Sequence, residues 1–181
     1  MEAQAPAQTQ ITPEFAREWA DRFVSAWNSH DPERLLALVT DDVVWEDPFI
    51  TPDGRLEGKP PLRAWLESLW RSMPDLEFSV IGEPCISLDG SRVMAAWKGG
   101  GRMTGPLEPP GFAPTGGRVE MTGVDAHEFR GDLLRHVWTV TDVNAVAVQI
   151  GAAPPPGSLG ERFGIFMQKL MARRLRRKAG G

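Results

Sequence analysis

Asp142, Trp138 and His136 recur at every second residue of the segment Leu133 to Val143. That spacing sends alternate side chains of an extended chain to one face. A carboxylate and an imidazole beside a large aromatic form an acid/base set, because apolar surroundings disfavour the charged carboxylate and raise its pKa. Leu134 and Val140 complete this face, while Leu133, Arg135, Val137, Thr139 and Thr141 fall on the other. The plainer role for Asp142 is to cap the strand end or to pair with an arginine on the rim.

The preceding segment, Arg118 to Phe129, offers Met121, Asp125, His127 and Phe129 on one face, and Thr122, Val124, Ala126 and Glu128 on the other. Alternation alone does not fix which face turns inward. His127 suits a proton shuttle at neutral pH or a hydrogen-bonded structural role. Earlier in the chain, Trp45 and Asp47 point one way and Glu46 the other. Trp45 is an apolar wall with one N–H donor, and Asp47 before Pro48 suits a turn. No His/Asp/Glu cluster has metal-ligand spacing, so no metal site is expected. Gly99-Gly100-Gly101 does not lead from a strand into a helix and is not a phosphate-binding loop.

These residues need elements to position them. Thr12 and Pro13 start a helix whose face is Phe15, Trp19, Phe23, Val24 and Trp27. Asp31 and Pro32 start a second, short one. Residues 43–47 read as a strand stopped by Pro48, followed by a Pro/Gly-rich loop through Gly58. Pro60 and Pro61 open a helix marked by Leu62, Trp65, Leu66, Leu69, Trp70 and Met73, and Pro74 ends it. From Leu76 to Gly151 the chain has strand character, with turns at Asp89-Gly90 and Gly131-Asp132 and a long Gly/Pro-rich loop from Gly99 to Gly117. Helices followed by a run of strands predict an α+β fold.

The chain of 181 residues is ordinary in composition, and a net charge of -4 argues against nucleic acid as a partner. Cys85, the only cysteine, excludes an internal disulfide and reads as a buried small hydrophobe between Pro84 and Ile86. The start carries no signal-peptide pattern and no segment has the length of an apolar span, which predicts a cytoplasmic protein. Residues 1–12 read as a disordered leader, 13–152 as the domain, and 153–181 as a Pro-rich linker and a basic amphipathic helix. In that helix Leu159, Phe163, Phe166, Met167, Leu170, Met171 and Leu175 accompany Arg162, Lys169, Arg173, Arg174, Arg176, Arg177 and Lys178. Packing on the domain or on a dimer partner is preferred over a membrane-surface role.

Four stretches carry a family resemblance. They are Trp27 to Asp31 with Leu35 and Asp41 to Pro48; Gly58 before the Leu62 to Leu69 helix, closed by Met73 to Phe78; Gly105 and Pro114 to Gly116 leading into Val119; and Gly123-Val-Asp125 with Phe129, then Trp138 to Asp142 and Gln149 to Gly151. On these residues the chain resembles the SnoaL-like polyketide cyclases of the nuclear-transport-factor-2-like superfamily. The resemblance implies a cone of curved antiparallel sheet plugged by N-terminal helices around a pocket (a cystatin-like α+β barrel), a hydrophobic small-molecule ligand and a homodimer.

It also implies acid/base chemistry without metal or organic cofactor, centred on Asp142 in the last strand. The family's histidines on the preceding strand and near the first strand are not matched directly. The histidine of the preceding strand is either absent or displaced to His127, Glu46 stands at the first-strand position, and Thr139 replaces a common acidic residue. The resulting expectation is a cyclase- or isomerase-type enzyme on a carbonyl or polyketide-like substrate. Asp142, His136, His127 and Glu46 would be its catalytic groups, and Trp45, Trp65, Trp138, Asp125, Phe129 and Trp27 its binding surface. The alternatives are a noncatalytic binding domain of the same shape, and an epoxide or ester hydrolase.

Overall fold

A computed structural model describes residues 11–50 and 54–179, with side chains through Arg176. Helix α1 (Pro13–Asn28) begins where the Thr12 hydroxyl accepts from the Phe15 N–H at 3.2 Å, and it buries Trp19, Phe23 and Trp27. Asp31 caps the short α2 (Pro32–Leu36) in the same way, at 2.9 Å from the Glu33 N–H. Strand β1 (Val39–Glu46) follows, then a short β2 (Arg55–Glu57) inside what the sequence presents as a loop. Helix α3 (Lys59–Ser72) buries Leu62, Trp65, Leu66, Leu69 and Trp70. Strands β3 (Glu77–Ile86), β4 (Arg92–Arg102), β5 (Arg118–Arg130) and β6 (Leu133–Thr141) complete one six-stranded sheet of order β2-β1-β6-β5-β4-β3.

The pairings are antiparallel except one. β1 and β6 run parallel, which the expectation of an antiparallel sheet did not contain. A parallel neighbour needs a long connection, and here α3 and four strands (β2 to β5) intervene. Ring contacts of Trp19 with Phe129 and of Phe23 with Trp45 seat α1 against β5 and β1. The α+β architecture with N-terminal helices against a sheet is the one the sequence implies.

Two local features redirect the site. Glu128 pairs with His136 while Phe129 pairs with Leu134, so β6 carries one extra residue, Arg135. Such a bulge resets alternation. Leu134 and Val137 are both fully buried, three apart, and Thr139 is buried after them, while Val140 is exposed. The face containing His136, Trp138 and Val140 is therefore the outer one, the reverse of the expected assignment. After β6 the chain does not stay extended either. Asp142 accepts from the Ala145 N–H at 2.9 Å and opens α4 (Val143–Gln149), a helix masked in the sequence by its β-branched valines.

Residues 1–10 of the predicted leader lie outside the described residues. Ile11 does not follow that expectation, being buried, while Thr12 caps α1 as its reading as a helix start expects. Cys85 is exposed rather than buried, because β3 is an edge strand with an irregular register between Ile81 and Cys85. The terminal helix α5 (Leu159–Ala179) does not pack on the domain as preferred above: Leu159 is 81% and Phe163 66% exposed. No helix among the described residues is long and apolar enough to cross a membrane.

Gly123, in the middle of β5, is required by close approach. A β-carbon there would stand 2.7 Å from the Val140 carbonyl oxygen and closer still to the Trp97 ring. Gly123→Ala is expected to destabilise the fold by about 1–3 kcal/mol through overpacking. Urea unfolding checks this; an unchanged midpoint would show that Trp97 does not need the space.

Candidate active site

A cavity of about 100 Å³ lies between α1, α3, α4 and the sheet, room for a small ligand or several waters. Its walls are apolar and aromatic, with Phe23, Trp27, Trp45, Trp65, Phe78 and Trp97 among them. Trp27, Trp45 and Trp65 meet one another at ring-centroid distances near 6 Å. Asp47, Asp125, His127, Thr139 and Thr141 break the apolar lining. The face of β5 that the sequence left open is settled: Asp125 and His127 point inward.

Each of these two side chains is held by specific donors. The Trp97 indole N–H and the Thr139 hydroxyl both donate to Oδ1 of Asp125, at 2.9 and 2.8 Å. Oδ2 is left as the oxygen nearer His127, 3.6 Å from its Nε2. The Trp19 indole N–H donates to His127 Nδ1 at 2.8 Å. A neutral imidazole that accepts at Nδ1 carries its proton at Nε2. His127 is 3% exposed and its Nε2 has no hydrogen-bond partner among the described residues. The same is true of the Trp45 indole N–H. Two buried N–H donors on residues that line one apolar cavity leave acceptors to be supplied, since an unmet buried donor costs about 1–3 kcal/mol.

Asp47 is the electrostatically unusual group. It follows β1 directly, on the side of buried Trp45, and its Oδ1 accepts from the Phe49 N–H at 2.8 Å. Burial raises its carboxyl from 3.8 to about 6; the Phe49 hydrogen bond opposes that shift and the charge of Asp125 adds to it. Desolvation of the charged form thus outweighs the hydrogen bond. The sequence presents Asp47 as a turn residue; its shared face with Trp45 was the signal for its site role. Trp19, Trp97 and Thr139 carry no comparable signal, since their partners come from distant strands and helices.

The other expected residues lie elsewhere. Asp142, expected as the principal acid/base, is exposed and serves as the α4 cap, which helps place Val146 and Ile150 in the cavity wall. Glu46 and His136 meet on the outer face, His136 Nε2 lying 3.3 Å from Glu46 Oε1, and Arg55 also binds Glu46. Trp138 is no cavity wall: it stacks on His136 at 3.5 Å between centroids, under the Arg92 guanidinium. The bulge at Arg135 is the cause. Phe129 packs behind the site against Phe15 and Trp19. Among the described residues no group of three His, Cys, Asp or Glu is placed to hold a metal ion.

The family model of the SnoaL-like domain matches residues 20–137, and no curated protein matches. Several solved structures are similar. AclR from Streptomyces galilaeus, a proposed hydroxylase, is 18% identical with a TM-score of 0.66, covering 90% of this chain and 98% of its own. A proposed SnoaL-like polyketide cyclase from Jannaschia sp. CCS1 is 19% identical with a TM-score of 0.65, covering 86% and 100%. A Catenulispora acidiphila protein of ketosteroid isomerase-like fold, in complex with trimethylamine, is 16% identical with a TM-score of 0.60, covering 78% and 95%. At these identities the likeness is one of fold.

Two stability predictions follow from the burial of Asp47 and the capping by Asp142. Folded Asp47 keeps its proton between about pH 4 and 6 while the unfolded chain has released it. Its contribution is therefore fully present below about pH 4 and lost as the pH rises through about 6. Asp47→Asn is expected to stabilise the protein by roughly 1–3 kcal/mol at pH 7 and to change nothing near pH 3. Denaturant unfolding across that range checks it; equal effects at both ends contradict it. Asp142→Ala is expected to cost about 1 kcal/mol, and Asp142→Asn, which still caps, much less. Equal losses in the two variants would remove the capping role.

Proposed function

This chain belongs to the SnoaL-like domain family, and from that premise we propose that it is a cofactor-independent acid/base enzyme of the cyclase or isomerase type. Its substrate is an apolar small molecule bearing a carbonyl group. The observation that carries the reading is Asp47: a carboxyl with a pKa of about 6, in the wall of an aromatic cavity that Asp125 and His127 also line. A proton carrier works best when its pKa lies near the working pH. Desolvation has brought this carboxyl there.

The division of labour follows from the geometry. Asp47, deprotonated above about pH 6, takes a proton from the carbon next to the carbonyl and later returns it. His127 Nε2–H donates to the carbonyl oxygen, where negative charge develops, and is aimed before the substrate arrives. Asp125, fixed by Trp97 and Thr139, lies beside that ring with Oδ2 3.6 Å from Nε2, and so helps to orient it. The tryptophan walls hold an apolar ring and exclude water, which strengthens each of these interactions. The enolate so formed can close a ring by attacking a second carbonyl or can be reprotonated elsewhere, so one site serves cyclisation or isomerisation.

A homodimer and a cytoplasmic location belong to the same proposal. Val124 and Val140, exposed on neighbouring outer positions of β5 and β6, offer apolar surface for pairing.

The test is solvent exchange. In D2O, a panel of apolar cyclic ketones and β-diketones is followed by proton NMR for loss of the hydrogens next to the carbonyl. The wild type is expected to speed exchange of at least one, with a rate that climbs through about pH 6. Asp47→Asn is expected to lose about 10²–10⁴-fold, and Asp142→Asn to stay near wild type. Full exchange activity in Asp47→Asn would remove Asp47 as the proton carrier. Tight binding of a ketone with no exchange at any pH would instead support a binding domain.

A further inference from the structure

We infer that α5 is a docking element for an anionic membrane surface. It begins after the Pro154–Gly157 turn, where Gly160 sits against Pro154, and then leaves the domain. Leu159, Phe163, Phe166 and Leu170 form a stripe along it, and these four side chains are 81%, 66%, 56% and 37% exposed. Among the described residues nothing covers them fully. The feature is therefore an apolar helix face displayed to solvent, not part of the core.

Charge decides among its occupants. Arg162, Lys169, Arg173 and Arg176 fall at helical spacing along one flank of the apolar stripe, all in described, mostly exposed positions. The helix holds seven of the chain's 20 basic residues in a protein of net charge -4. Its single acid, Glu161, already accepts from the Gly157 N–H at 2.6 Å. A stripe of aromatic and aliphatic groups with a parallel row of cations meets both layers of a lipid interface together: side chains among the upper acyl carbons, guanidinium groups among the phosphates. A helix pair between two copies fits less well. The seam from Leu159 through Leu170 spans under two heptads, and its next position is Arg173, which would face its own kind. A membrane-seated domain with an apolar cavity also draws its ligand from the phase in which such ligands concentrate, a link that rests on the proposed function.

Vesicle co-sedimentation of the full chain tests the inference. The wild type is expected to pellet with phosphatidylcholine–phosphatidylglycerol vesicles at least tenfold more than with phosphatidylcholine alone, and less as salt is raised. Two variants are expected to abolish this while leaving circular dichroism and ketone exchange unchanged: Phe163→Ser with Phe166→Ser, and Arg162→Glu with Lys169→Glu and Arg173→Glu. No pelleting, or pelleting indifferent to lipid charge, overturns the proposal. So does sedimentation velocity showing that the variants turn a dimer into a monomer without any vesicle binding by wild type. Loss of exchange with vesicle binding intact would instead bear on the enzyme reading alone.

Discussion

Ionisable groups packed into an aromatic cavity cost free energy, and the way this chain offsets that cost shapes the whole site. Asp125 and His127 sit within two residues of each other on β5, nearly inaccessible to water. Three donors from three different elements hold them: Trp19 of α1, Trp97 of β4 and Thr139 of β6. Tryptophan is well suited to this duty, since it extends the apolar wall with its ring and meets a polar atom with its single N–H. Gly123 leaves the space that lets the Trp97 ring lie across β5. Hydrogen bonding at Oδ1 and at Nδ1 leaves Oδ2 and Nε2–H as the atoms with capacity to spare.

Asp47 is treated differently, and that difference separates its role from theirs. It has one backbone donor, which does not compensate for the loss of water, so its proton is retained well above the usual carboxylate range. The protein thus holds one carboxyl whose hydrogen bonds fix its orientation and another whose affinity for a proton is tuned by burial. Under the proposed function the second is the proton carrier.

Helices α1, α2, α3 and α5, the hairpin turns and most strand limits were legible because they rest on local rules: Thr12 and Asp31 as caps, prolines at helix starts, apolar residues at helical spacing. Family motifs around Trp27, Asp47-Pro48 and Gly123 carried the architecture. What the sequence did not reveal were events decided by tertiary contact. One additional residue, Arg135, inverts the faces of β6, exchanging Thr139 for Trp138 and His136 as inward groups. No rule of alternation anticipates where a bulge falls. Asp142 matched the family's acid/base position in sequence, yet α4 begins there and claims its carboxylate for an N–H. Asp125, His127 and the three tryptophan walls were recognisable; their donors, brought from distant segments, were not.

The central claim is that burial, assisted by Asp125, lifts the proton affinity of Asp47. Carbon-detected NMR titration of the Asp47 side-chain carboxyl measures it directly. A midpoint of about 6, moving down when Asp125 is replaced by Asn, is the predicted result. A midpoint near the ordinary 3.8, unmoved by that replacement, would contradict the account.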